Sequence, residues 1–286
     1  MFRERLRARL TEGVLGPAIG KRRLALCLHR VAPKHRPEES LPMCVSVERE
    51  LDELLESLHA TRRESGWLTL SFDDGYQDSA DYIRSRAPRY PGVNFLLFVC
   101  PEKTERGVGF RWDAWEKLRS RGKATGTLDE FLAFERIIDT ENTRADLIDA
   151  GKDPLFRLAS VEECLSLKKL PNVALGNHTN THFKLSEISS DDAKTELERS
   201  HAHFVELFGE SEHFAFPYGT PGESYREEHV HQVRRLGYTK VWSTVGRTFA
   251  PESTGELPRF AVHGDWPLQD TVAWIAKASL KARVVT

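Results

Sequence analysis

From Arg23 onward, short apolar runs rich in β-forming residues alternate with longer stretches in which apolar positions recur every three to four residues. Runs of the first kind predict strands at Leu24 to His29, Trp67 to Phe72, Val93 to Val99, Val173 to Leu175, His213 to Phe216, Lys240 to Thr244 and Leu257 to His263. The second kind predicts helices at about Val47 to His59, Gln77 to Arg86, Val161 to Leu167, Asp191 to Phe208, Tyr225 to Leu236 and Leu268 to Lys281. Seven strands in alternation with helices form the pattern of βα units and a largely parallel sheet, either a barrel or an open doubly wound sheet. Between about Glu102 and Ala159 the rhythm gives way to polar, charged, helix-like sequence with several glycines, which reads as an insertion or lid between strands. No internal repeat or low-complexity tract is visible.

Ahead of this pattern, residues 1–22 read as a basic amphipathic segment: Phe2, Leu6, Leu10 and Val14 recur every fourth residue while Arg3, Arg5, Arg7 and Arg9 fill much of the rest. Such a helix docks on its own domain with a solvated basic face, or lies on an anionic membrane surface as a peripheral contact. Lysine plus arginine number 41 against 43 aspartate plus glutamate, so the net charge of −2 argues against a dedicated nucleic-acid binder. At 286 residues, with 40% hydrophobic and 29% charged positions, the composition is that of an ordinary enzyme domain. Cys27, Cys44, Cys100 and Cys164 are far apart with no CxxC pair, which points to buried reduced thiols rather than a disulfide framework or a cysteine zinc knuckle. No run approaches the length of a membrane span, and the basic start lacks the apolar stretch of an export signal. The expectation is a cytoplasmic protein, with the inner membrane surface as a place of peripheral contact.

Three motifs carry chemistry. In LTLSFDDGY an apolar strand stops at two carboxylates, Asp73 and Asp74, followed by Gly75. In parallel α/β folds the C-terminal ends of strands face the active site, and adjacent residues there point in different directions, so one carboxylate can serve a metal while the other faces substrate. The alternative is that one of them merely caps the helix starting near Gln77. In GNHTNTHFKLSE, His178 and His182 are four residues apart, a spacing that puts both imidazoles on one face of a helical turn. Two histidines with one carboxylate make the three-ligand set of a catalytic zinc site. In HFAFPYGTPGES a third short strand ends in a turn, where Pro217 fixes the backbone and Tyr218 presents an N–H able to stabilise an oxyanion. A P-loop is excluded because GPAIGK has one residue too few between its glycines, and there is no GxSxG elbow of an α/β serine hydrolase.

In this order FDDG, HxxxH and FPYG resemble the polysaccharide deacetylase family, also called the NodB-homology or carbohydrate esterase family four proteins. The resemblance runs from LALCLHRV at Leu24 to about His263 and takes in VSVERELDELLESL, but not the segment from Glu102 to Ala159. It implies an α/β fold, a distorted (β/α)7-type barrel over residues 23–286 with an inserted helical segment at about 102–159. The activity it implies is removal of N-acetyl, or sometimes O-acetyl, groups from a sugar polymer or glycan precursor. Carried over residue by residue, Asp74, His178 and His182 match a metal triad, Asp73 the catalytic base, and Tyr218 the oxyanion donor. The expected cofactor is a divalent metal, zinc by default with other divalent ions of similar geometry open, and metal-activated water is the nucleophile. The sequence departs from the family where an arginine two residues before the Pro-Tyr pair would steady the base, since that position is Ala215, and a DxxDW-type motif is missing. The general acid is therefore assigned to His263, at the end of the last predicted strand, with His29, Pro217 and Trp266 expected to meet substrate. Two rival readings are a hydrolase of small cyclic amides and a non-catalytic glycan-binding protein of the same fold.

Overall fold

The predicted apolar runs all form strands in the computed structural model, which describes residues 13–35, 41–62, 64–123, 127 and 141–284. In chain order these are β1 (Leu24–Leu28), β2 (Arg30–Ala32), β3 (Val45–Val47), β4 (Leu68–Phe72), β5 (Asn94–Val99), β6 (Val173–Asn177), β7 (His213–Ala215), β8 (Lys240–Ser243), β9 (Leu257–Pro258) and β10 (Phe260–Ala261). β2 and β3 pair as a small parallel ribbon that the sequence pattern did not reveal, because three residues are too few to show a period. The other eight form one parallel sheet in the order β10-β1-β4-β5-β6-β7-β8-β9.

The predicted seventh strand is thus two strands, β9 and β10, which pair at opposite edges of the sheet and are separated in the chain by Arg259 alone. The sheet therefore curls until its edges are one residue apart, giving a near-closed barrel. Alternation along the strands divides the core. Leu24, Leu26, Leu28, Leu68, Leu70, Phe72, Phe95 and Leu97 pack outward under the helices, whereas Ala25, Leu96, Phe98, Ala215 and Trp242 fill the interior.

The helices are α1 (residues 13–19), α2 (Glu48–Thr61), α3 (Gln77–Arg86), α4 (Pro101–Arg106), α5 (Arg111–Ser120), α6 (Glu141–Gly151), α7 (Val161–Leu167), α8 (Ser190–Phe208), α9 (Glu227–Arg235) and α10 (Leu268–Val284). α7 opens on a capping box, in which Ser160 Oγ accepts the Glu163 N–H at 3.2 Å and Glu163 Oε2 accepts the Ser160 N–H at 2.7 Å. In α1, Leu15, Ala18 and Ile19 are buried in the main core while Val14 is 48% exposed, so this stretch docks on its own domain. The remainder of the basic amphipathic segment, residues 1–12, lies outside the described residues.

The segment expected as an insertion contains α4, α5 and α6, with α5 packed on α6. It returns along the loop after β4: Ala159 N–H donates to Gly75 O at 2.9 Å and Gln77 N–H to Arg157 O at 3.0 Å. The four cysteines are free thiols, Cys27, Cys100 and Cys164 buried and Cys44 half-buried. No helix among the described residues is long and apolar enough to cross a membrane.

Candidate active site

β4 delivers the two carboxylates to the mouth of the barrel. The ladder continues one residue beyond the strand, Asp73 N–H donating to Leu28 O at 2.9 Å. The chain then reverses through Asp74 at φ 74° and Gly75 at φ 78°. A side chain at Gly75 would need both that backbone conformation and room 3.1 Å from Val99 Cγ1. Tyr76 is the N-cap of α3 and no side chain caps it, so neither aspartate serves the helix; both are turned inward and 97% buried, at 3% exposure.

His178 and His182 follow β6, but not on a helical turn as the spacing implied. Residues 178–182 form a loop tied by side-chain-to-backbone bonds: Asn177 Oδ1 accepts the Thr179 N–H at 2.9 Å, Thr179 Oγ1 accepts the His182 N–H at 3.2 Å, and Glu196 Oε1 accepts the N–H groups of Asn180 and Thr181 at 2.9 and 2.8 Å. Asparagine and threonine favour such local bonds over helix. Among the described residues the positive-φ positions that are not glycine are Asp74, Thr179, His182 and Tyr218, all in these motif loops. Backbone held in that region costs of order 1–3 kcal/mol per residue and persists where the surroundings enforce it.

The result is a compact donor set. Asp74 Oδ1 lies 3.6 Å from His178 Nε2 and 3.1 Å from His182 Nε2, and donors around a tetrahedral ion with bonds of about 2.0–2.1 Å stand about 3.3 Å apart. Among the described residues Asp74 Oδ1 is buried without a hydrogen-bond partner. His178 Nδ1 is 2.7 Å from Ala215 O, which fixes that nitrogen as the donor and leaves the Nε2 lone pair facing Asp74. Burial pushes His178 down to about 4, so it is a neutral imidazole at pH 7. A buried carboxylate oxygen flanked by two imidazole nitrogens at 3.1 and 3.6 Å fits a divalent cation.

Asp73 has a different environment. Both its oxygens are taken by Arg259, with Nη1 at 2.6 Å from Oδ1 and Nη2 at 2.9 Å from Oδ2, and the guanidinium is fully buried. Burial alone would raise the carboxyl, but the Arg259 charge outweighs it and holds Asp73 well below the usual carboxylate range. Arg259 also donates to Ser71 Oγ at 2.9 Å and stacks on Phe98 at 5.2 Å. Its partnership with Asp73 was not identified in the sequence, although an arginine inside the apolar run LPRFAV must find a partner to be buried at all. In place of an arginine at position 215, which is Ala215, the guanidinium beside Asp73 comes from Arg259 at the junction of β9 and β10.

The remaining predicted residues divide. Tyr218, in its strained turn after buried Pro217, is 44% exposed with its ring 5.1 Å from His182. Gly219 follows at φ 70°, where a Cβ would fall 2.4 Å from Thr244 Cγ2. His29, half-buried, brings a ring nitrogen within 4.8 Å of Asp73 and of the Cys27 thiol. His263 instead stacks on Trp266 at 4.4 Å and lines with it a groove against Ser46, Glu50 and Leu51. The ring partner of His263 is Trp266, while the histidines near the Asp73 carboxylate are His178, with Nε2 4.0 Å from Oδ2, and His29. The sequence also gave no sign of Phe110 and Trp112, which come from the insertion and set their rings 5.3 and 5.1 Å from that of His182.

The sequence model of the polysaccharide deacetylase family matches residues 160–241, which include His178, His182 and Tyr218. Among solved structures, IcaB from Ammonifex degensii superimposes with a TM-score of 0.58 at 17% identity, covering 91% of this chain and 98% of that one. The Streptococcus pyogenes deacetylase PplD, in complex with acetate, gives 0.57 at 14% identity over 89% and 98%. The putative polysaccharide deacetylase BA0330 from Bacillus anthracis gives 0.58 at 11% identity over 89% and 69%. At these identities the likeness is one of fold. No curated protein matches the chain.

Proposed function

We propose that this chain, a member of the polysaccharide deacetylase family by the match over residues 160–241, is a metal-dependent hydrolase that removes acetyl groups, N-acetyl first among them, from a glycan or glycan precursor. The observation that carries the reading is the buried Asp74 Oδ1 set between the Nε2 atoms of His178 and His182, at 3.6 and 3.1 Å. A divalent cation held by these three residues, zinc by the preference of two imidazoles and a carboxylate, supplies Lewis acidity to the acetyl carbonyl and to the attacking water.

Asp73 takes the proton from that water. It is ionised for the task because Arg259 outweighs its burial, and the two-point contact aims both oxygens. Tyr218 is assigned the oxyanion, through the N–H of a turn held at φ 63°. The proton for the leaving amine is assigned to His29, the half-buried imidazole beside Asp73, in place of His263.

The test is acetate release from N-acetylated oligosaccharides by the metal-depleted protein and by the same protein reloaded with zinc. Release by the reloaded protein alone is the expected result. A reloaded protein that binds the oligosaccharides and frees no acetate would overturn the reading in favour of a glycan binder, and turnover confined to small cyclic amides would overturn its substrate class.

A further inference from the structure

The two ligand imidazoles are held in unlike ways. His178 is oriented by the bond from its Nδ1 to Ala215 O, the usual outer-shell device for a metal-binding histidine. His182 has no such bond among the described residues: its Nδ1 is buried and finds no hydrogen-bond partner there. Its backbone sits at φ 65°, so neither regular structure nor a polar tether sets the ring. What touches the ring is aromatic. Phe110 and Trp112 stack on each other at 4.6 Å and 4° and meet the His182 ring edge-on, at 75° and 72°, while Tyr218 tilts against it.

That wall is fastened from behind. Trp112 Nε1 donates to the Tyr76 hydroxyl at 2.8 Å, and the hydroxyl donates to the Asp113 carboxylate, 3.0 and 2.8 Å from its two oxygens. Asp113 also accepts the Phe110 N–H at 3.0 Å, so one carboxylate ties down both rings of the wall. Tyr76 and Asp113 are buried, and the Arg30 guanidinium covers the Tyr76 ring at 4.8 Å. Tyr76 stands two residues after Asp74, where it bridges to Leu158 at the return of the insertion.

We propose that Tyr76, Asp113 and Trp112 are positioning residues of the metal centre: their hydrogen-bond relay clamps the aromatic wall that orients His182 in place of a polar tether. The insertion is then part of the site, and packing supplies to one ligand what a carbonyl supplies to the other. This rests on the metal-binding reading given above.

The experiment measures zinc affinity of the full chain by competition with a chelating dye, alongside the thermal midpoint of the metal-free protein. Tyr76→Phe keeps the ring against Arg30 and removes the hydroxyl; the expected result is zinc binding weaker by roughly 10- to 100-fold, the usual scale for outer-shell partners. Trp112→Phe keeps a ring and removes the donor, and serves where Tyr76→Phe fails to fold; the same direction is expected. Asp113→Asn, which still accepts one bond, should lose less than Asp113→Ala. Tyr82→Phe is the control, since its hydroxyl donates to Asp52 at 3.0 Å on the outer face of the barrel. Parent-like zinc affinity in Tyr76→Phe and Trp112→Phe would overturn the proposal, as would an equal loss in Tyr82→Phe. A parent that takes up no divalent ion would overturn the metal reading itself, a result distinct from a parent that binds zinc and variants that bind it equally well.

Discussion

Two side-chain triads meet at the mouth of the barrel, Asp74 with His178 and His182, and Asp73 with Cys27 and His29, and each offers three ligand atoms within 4.8 Å of one another. Spacing alone does not separate them. Their charge does: Arg259 already neutralises Asp73 and occupies both its oxygens, whereas Asp74 has only imidazoles and a bare Oδ1. A cation entering the second triad would displace or face a buried guanidinium, while one entering the first completes an unsatisfied acceptor. The pair of adjacent aspartates therefore teaches that neighbours in sequence take opposite chemical roles because of what arrives from elsewhere in the fold. In the proposed reaction one carboxylate would hold the metal and the other would take the proton.

The sharpest way to break this division is to change one aspartate at a time. Asp74→Ala is expected to leave no bound divalent ion after dialysis and to lower turnover by roughly 10⁴-fold or more, beyond the usual range for losing a general base. Asp73→Asn should keep its ion and lose roughly 10²- to 10⁴-fold in kcat. Elemental analysis beside acetate-release kinetics reads both, and a metal lost with Asp73 rather than Asp74 would exchange the two roles.

Next in size is Arg259→Met, which leaves Asp73 buried and unpaired at a cost of about 3–5 kcal/mol, measured by urea unfolding. The sign of its pH effect follows from the base being active only when ionised. Arg259 holds Asp73 low, so removing the guanidinium moves the acid limb of the kcat/KM profile to higher pH, and Arg259→Lys restores part of the shift. An unmoved limb would detach Arg259 from the base. The smallest effect is expected from Cys27→Ala. The thiol donates to Asp73 Oδ2 at 3.3 Å and burial pushes it well up, so it is a neutral donor. Zinc content should be unchanged and turnover within about threefold, with a stability change of about 1 kcal/mol; loss of the ion would make the second triad the metal site.

Much of this centre was legible because its signals are local. The apolar run ending in Asp73 and Asp74, the close pair His178 and His182, and the Pro217–Tyr218 turn each lie within a dozen residues and end a strand on the same face of the sheet. Where the reading missed, the decisive contact was distant or irregular. Arg259 reaches Asp73 across 186 residues, and it is the pairing of β10 with β1, next to β4, that brings them together. The histidine spacing was compatible with a helical turn, yet Asn177 and Thr179 bond the loop into another shape. β9 and β10 looked like one strand because composition does not tell which neighbour each half pairs with. Phe110 and Trp112 lie in a segment whose sequence pattern says helix and nothing of what the helix leans on.

Arg259 occupies the one-residue step by which the sheet passes from its last edge to its first. Sealing the ring and pairing Asp73 are consequently a single event: a chain whose final strands have not docked carries that carboxylate without its counter-charge.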